Sequence, residues 1–75
     1  MDNVENIRAD LISYFNENGY LISQVEAMKL KADSDNTRNM EAFFWACDFA
    51  SEVKAHNITY ILDDNGFILT IEIRK

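Results

Sequence analysis

Two residues of types that carry out nucleophilic and acid–base chemistry occur once each in this sequence, Cys47 and His56. A thiol and an imidazole make a nucleophile and its base only within hydrogen-bond reach of each other. Here both fall in one segment with helical periodicity, nine residues apart. Along a helix that spacing is about 13 Å, so the two cannot form a dyad. His56 falls where the last helical turn is expected, a place where a cation suits the helix dipole. No spacing of His, Cys, Asp and Glu reads as a metal site. The chain has only two Gly, both explained by turns, so there is no phosphate-cradling loop. The expectation is a protein that is not an enzyme and carries no metal and no cofactor.

Carboxylates offer a different chemistry. On a helix, Glu41, Asp48 and Glu52 form one polar strip, which reads first as a solvated face. Carboxylates spaced along a helix can also imitate the phosphates of a nucleic-acid strand and occupy the basic groove of a partner protein. Trp45, Phe49 and Val53 lie beside the strip. An exposed aromatic pair one turn apart marks an interface, whereas a buried pair is core. Asp63-Asp64 is most simply the chemistry of a turn.

The composition narrows the partner class. Thirteen acidic residues against seven basic give a net charge of −6. That disfavours nucleic acid and anionic membranes, both polyanions, and suits a basic protein. With 75 residues and 48% apolar content, the chain has the size of one small domain, with a marginal core. A single cysteine allows no intrachain disulfide and points to a reducing compartment. "MDNVENIRAD" has no apolar run, so neither a signal peptide nor a membrane span is expected, and the cytoplasm is the default location. Small, acidic, Pro-free chains of this kind also occur among accessory proteins of phages and mobile elements, an association of composition only.

The elements that must position these residues are readable in part. A first helix is expected over residues 3–18, capped by Asp2 or Asn3 with Glu5 completing a capping box. Val4, Ile7, Leu11, Tyr14 and Phe15 share its apolar face, and Asn18-Gly19 ends it. At the C-terminus, "ITYILDDNGFILTIEIRK" alternates about Asn65-Gly66, the dipeptide of a two-residue type I′ turn. That turn pairs Leu62 with Leu69, Tyr60 with Ile71 and Ile58 with Ile73. A three-residue loop would slip the register and set apolar residues against polar ones.

Residues 21–32 read two ways. As a strand, Met28, Leu30 and Ala32 alternate with Lys29 and Lys31; as a helix, Ser23 and Glu26 form a capping box. The strand is preferred, because a lone hairpin is marginal and a third strand makes a sheet worth covering. A long helix is expected from Thr37 to Asn57, with its N-cap at Asp35, Asn36 or Thr37. Met40, Phe43, Phe44, Cys47 and Ala50 make one apolar face. Trp45, Phe49, Val53, Ala42 and Ala46 make a second, on the far side of the carboxylate strip.

The expected fold is therefore α+β in the order helix, strand, helix, strand, strand: a three-stranded antiparallel sheet with two helices on one face. Met28, Leu30, Phe43, Phe44, Cys47, Ala50, Ile58, Tyr60, Leu62, Leu69, Ile71 and Ile73 are its expected core. Trp45, Phe49 and Val53 are then left as a self-association patch for a homodimer, and Glu41, Asp48 and Glu52 as an acidic surface for a basic partner. The expected function is a protein-interaction module of inhibitor or adaptor type. The alternative is a winged-helix-like DNA-binding regulator, with residues 21–32 helical and Asn36, Thr37, Arg38 and Asn39 at the start of the reading helix.

Overall fold

The computed structural model describes residues 4–28 and 30–75, with side chains from Arg8 onward. The expected first cap at Asp2 or Asn3, the side chains of Glu5, Val4 and Ile7, and Lys29 all lie outside the described residues. The elements are α1 (Val4–Asn18), β1 (Tyr20–Gln24), a one-turn 3-10 helix (Val25–Ala27), α2 (Asp35–Val53), β2 (Asn57–Leu62) and β3 (Ile68–Arg74). The sheet is antiparallel in the order β1-β3-β2, so β3 is central. This is the expected α+β layout. The winged-helix order shares these elements, with Val25–Ala27 in the place of its middle helix.

Gly19 sits at φ +82, and its N–H donates to the Phe15 carbonyl at 2.7 Å. A Cβ there would meet nothing, so it is the backbone conformation that calls for glycine. The chain turns at once into β1, which places the third strand in "YLISQ" rather than in the Met28–Ala32 alternation. Tyr20, Leu21 and Ile22 are strand formers, and pairing of residues 20–24 with Arg74 through Thr70 uses most of β3. By Met28 the strand has ended; Met28 and Leu30 pack only partly buried against the core.

α2 starts two residues before its expected start. Ser34 is its N-cap, and its Oγ accepts from the Thr37 N–H at 3.2 Å. It also stops early, at Lys54, which takes a left-handed conformation (φ 60) as the C-cap. His56 therefore lies beyond the helix, just before β2, and not in a last helical turn.

The hairpin turn differs from the expected type. The Asp63 N–H donates to the Phe67 carbonyl, and the Gly66 N–H donates to the Asp63 carbonyl at 3.1 Å. Asp64-Asn65-Gly66 is thus a three-residue loop, with Gly66 at φ +87. The Asp63 carboxylate accepts from the N–H groups of Asn65 and Phe67, at 2.8 and 3.0 Å, and holds the turn. Such a loop should slip the register, and near the turn it does: Leu62 pairs with Ile68, not Leu69. A bulge then absorbs the slip, and Ile61↔Thr70, Tyr60↔Ile71 and Ile58↔Ile73 follow in the expected register.

Leu21, Ile71 and Ile73 stand on one face of the sheet and pack with Phe15 of α1, Val25 of the 3-10 turn, and Ala42, Ala46, Phe49, Ala50 and Val53 of α2. Of the expected core, Ala50, Ile71 and Ile73 are buried, while Met28, Leu30, Ile58 and Tyr60 are partly so. Phe43, Phe44, Cys47, Leu62 and Leu69 are exposed. α2 is therefore turned so that its Ala42-Ala46-Ala50 row meets the sheet. Small side chains let the helix sit close over strands that already carry Ile71 and Ile73, and Phe49 fills the remaining gap against Phe15, ring to edge at 6.1 Å.

Candidate partner-binding face

This rotation of α2 exchanges the roles assigned to its two apolar faces. Phe49 is fully buried and Val53 is buried, while Trp45 is partly covered, its ring stacked on Phe49 at 5.3 Å. The expected self-association patch of Trp45, Phe49 and Val53 is thus where the monomer packs on itself. The face expected to meet the sheet is the one left outside, with Met40 and Phe44 each 57% exposed and Phe43 48%.

The carboxylate strip is also divided. Arg8 of α1 reaches across to α2 and donates to Glu52 at 2.6 Å and to Asp48 at 3.0 Å. Its hydrogen bond with Glu52, above all, holds the guanidinium more firmly protonated than usual. The same guanidinium lies 6.0 Å from the centre of the Phe49 ring, on the side of the molecule where α1 meets α2. Glu52 is thereby committed to holding the helices together. The Asp48 side chain keeps most of its surface in water, and Glu41 is partly exposed.

What remains is a shallow open groove of about 590 Å³ lined by Leu30, Glu41, Phe44, Trp45, Cys47 and Asp48. Its floor is aromatic and apolar, and its two charged members among the described residues carry the same sign. α2 supplies every lining residue but Leu30, which the loop after the 3-10 turn lays alongside. Cys47 is a free exposed thiol. Towards β2, burial first, and then the neighbouring Cys47, raise the Tyr60 hydroxyl above its usual pKa, and Phe43 packs beside Tyr60 with ring centres 5.9 Å apart. Among the described residues no group of His, Cys, Asp and Glu is placed to hold a metal ion, and no helix is long and apolar enough to cross a membrane.

Two polar residues, Arg8 and Asn39, make long-range contacts that the sequence pattern does not signal. Asn39 of α2 donates its amide to the Gly66 carbonyl at 2.9 Å and accepts from the Ile68 N–H at 2.8 Å, clamping the hairpin turn to the helix. Of the residues expected to begin a DNA-reading helix, Asn39 is thus engaged inside the fold, and Thr37 is engaged with the Ser34 cap. Compared with protein-family models, with curated proteins and with solved structures, the chain matches none.

Proposed function

We propose that this chain is a non-enzymatic protein-interaction module of inhibitor or adaptor type, acting in the cytoplasm, which binds a basic partner protein on the outward face of α2. The observation that carries the reading is Phe44, more than half exposed in a groove whose charged lining residues, among those described, are Glu41 and Asp48. Aromatic anchors ringed by carboxylates suit a partner segment with an apolar side chain between Lys or Arg residues. The net charge of −6 would steer such a partner in at low salt. In the phosphate-imitating version, Glu41 and Asp48 take the part: Asp48 also bonds Arg8, but less closely than Glu52 does and with more of its surface in water.

The test is affinity capture from lysate of the source cell, with wild type beside Phe44→Ser and the double variant Glu41→Lys, Asp48→Lys. A partner retained by wild type and lost by both variants, at unchanged helical content, supports the reading. Equal capture by all three overturns it. A parallel gel shift on random duplex DNA addresses the DNA-binding alternative: binding that weakens steeply with salt would favour that class instead.

A further inference from the structure

The sheet has two outer strands, and they are treated differently. α1 packs along β1, whereas neither helix packs comparably on β2. Free edges are normally guarded by Lys, Pro or an overlying element. The β2 sequence "NITYIL" holds no Lys and no Pro, and Ile61 and Leu62 are each about half exposed.

Two hydrogen bonds fix which backbone groups of β2 point away from the sheet. Asp63 N–H donates to Phe67 at the turn, and Lys75 N–H donates to Gly19 at the opposite end. Alternate residues of a strand aim N–H and C=O the same way. Counting back from Asp63, Ile61, Thr59 and Asn57 turn towards β3. Counting back from Lys75, which turns towards β1, the β3 residues that turn towards β2 are Arg74, Glu72 and Thr70, the partners of those same three. Both counts leave Ile58, Tyr60 and Leu62 with N–H and C=O aimed off the edge. Ile58 and Tyr60 pair with the buried Ile73 and Ile71, so their side chains stand on the helix-bearing face.

We propose that β2 pairs antiparallel with β2 of a second copy about a twofold axis at Tyr60, making one continuous sheet from two. An isologous pairing of this kind must set residues of one face opposite each other and must use the outward-aimed groups. Tyr60 opposite Tyr60, with Ile58 opposite Leu62 of the partner copy, meets both conditions with all three outward residues and keeps the pairing inside the strand. Slipping by one pair would set Leu62 against His56 instead. The chosen register also brings Asp64 in the exposed turn opposite His56 of the second copy, whose ring N–H can donate to a carboxylate, and near the cationic Lys54, although the whole chain is acidic. Because α2 sits over β3, the two α2 helices would stand about three strand spacings apart, ~14 Å. Close-packed helices stand only about 8–10 Å apart, so the cleft between them takes large side chains, and Phe43 is the one already leaning on Tyr60. The pairing does not call on Glu41, Phe44, Trp45 or Asp48 of the proposed partner groove, although Phe43, on the same outward side of α2, borders it.

The experiment is sedimentation of the full chain from about 1 µM to roughly 500 µM, with Leu62→Lys and Thr59→Pro beside wild type. Wild type should dimerise with a concentration-dependent midpoint. Leu62→Lys should weaken the dimer by at least about 100-fold, since the monomer leaves this position half in water and the dimer would bury the charge. Thr59→Pro, which removes an N–H aimed at β3, is the comparison for simple damage to the strand: it should lower thermal stability, which Leu62→Lys should not. Register is read by mixing Thr59→Cys and Ile61→Cys chains, both carrying Cys47→Ser, under mild oxidation. These positions face each other as a closely spaced, non-hydrogen-bonded pair, so the mixture should cross-link and each chain alone should not. Amide exchange should slow with concentration at Ile58, Tyr60 and Leu62, and not at Thr59 or Ile61. A chain monomeric throughout the range overturns the proposal and leaves the edge to a strand of another protein. So does a dimer that Leu62→Lys leaves intact.

Discussion

The two sides of α2 are both apolar, yet they differ in the size of what they carry. The inward side holds Ala42, Ala46, Phe49, Ala50 and Val53; the outward side holds Met40, Phe43, Phe44 and Cys47. Hydrophobic content alone would bury the outward set, since Met and two Phe offer more apolar area than three Ala. The helix does the opposite because burial needs a matching volume. Ile71 and Ile73 rise from the sheet and Phe15 enters from α1, so the space left under α2 admits one ring and several methyl groups. In a small domain the side of a helix that fits is the side that is buried, and the larger side chains left over become the exposed surface.

Removing the one inward ring should produce the largest effect. Phe49→Ala deletes a fully buried side chain that touches Phe15, Trp45 and Arg8. We expect a loss of about 3–5 kcal/mol, enough to unfold much of the population of a domain this size. Chemical denaturation followed by circular dichroism measures it. A cost under about 1 kcal/mol would mean that α2 is not seated on this side.

Enlarging the inward row attacks the same contrast from the other direction. Ala46 is fully buried over the sheet, and Ala46→Leu should cost about 1–3 kcal/mol by overpacking. The same enlargement at exposed Cys47, Cys47→Leu, should stay within about 0.5 kcal/mol. Thermal melts of the two variants side by side would show the asymmetry, and equal costs would refute it.

How much of this was readable in the sequence follows from the same point. Element order, the hairpin and the antiparallel α+β layout were legible, because they rest on period and on punctuation: Gly19 after α1, and the Asn65-Gly66 pair between alternating runs. The rotation of α2 was not read, because periodicity finds apolar faces without ranking them when both are apolar. The usable signal was Ala42-Ala46-Ala50, a small residue at every fourth position, which marks the side of closest approach. The strand in residues 20–24 was passed over for the cleaner alternation at Met28–Ala32, which β3 has no length left to pair. The turn type was missed because a bulge, invisible in the pattern, restores the register that a three-residue loop disturbs. Asn39 and Arg8 act across 27 to 44 residues of chain, a separation over which a single sequence carries no signal.

Cutting the polar seam beside the inward side should have a smaller effect. Arg8→Met keeps the aliphatic stem and removes the bonds to Asp48 and Glu52, at least half of whose surfaces or nearly so remain in water. Exposed pairs of this kind contribute about 0.5–1 kcal/mol, screened by salt. The expected result is a melting shift that shrinks at high salt. A loss of several kcal/mol would mean that the guanidinium over Phe49 is part of the core and not its margin.

A ring removed from the outward side should change stability far less than the inward ring does, and it sharpens the comparison most. Phe44→Ser removes a whole ring from α2, as much apolar area as Phe49→Ala, yet more than half of that ring already faces solvent. Its neighbours in the groove are Leu30, Trp45 and Cys47, none of which it seals from water. The part of the ring that is covered contributes favourably, while serine and phenylalanine differ little in helix propensity. Together these leave an expected loss of under about 1 kcal/mol, with solubility unchanged or improved. Denaturation midpoints of Phe44→Ser and Phe49→Ala, measured in one buffer, therefore isolate position from residue type: same residue lost, same helix, five positions apart. If Phe44→Ser proves as costly as Phe49→Ala, the outward aromatic is part of the folding core, and the groove it lines has no claim to be a surface kept for a partner.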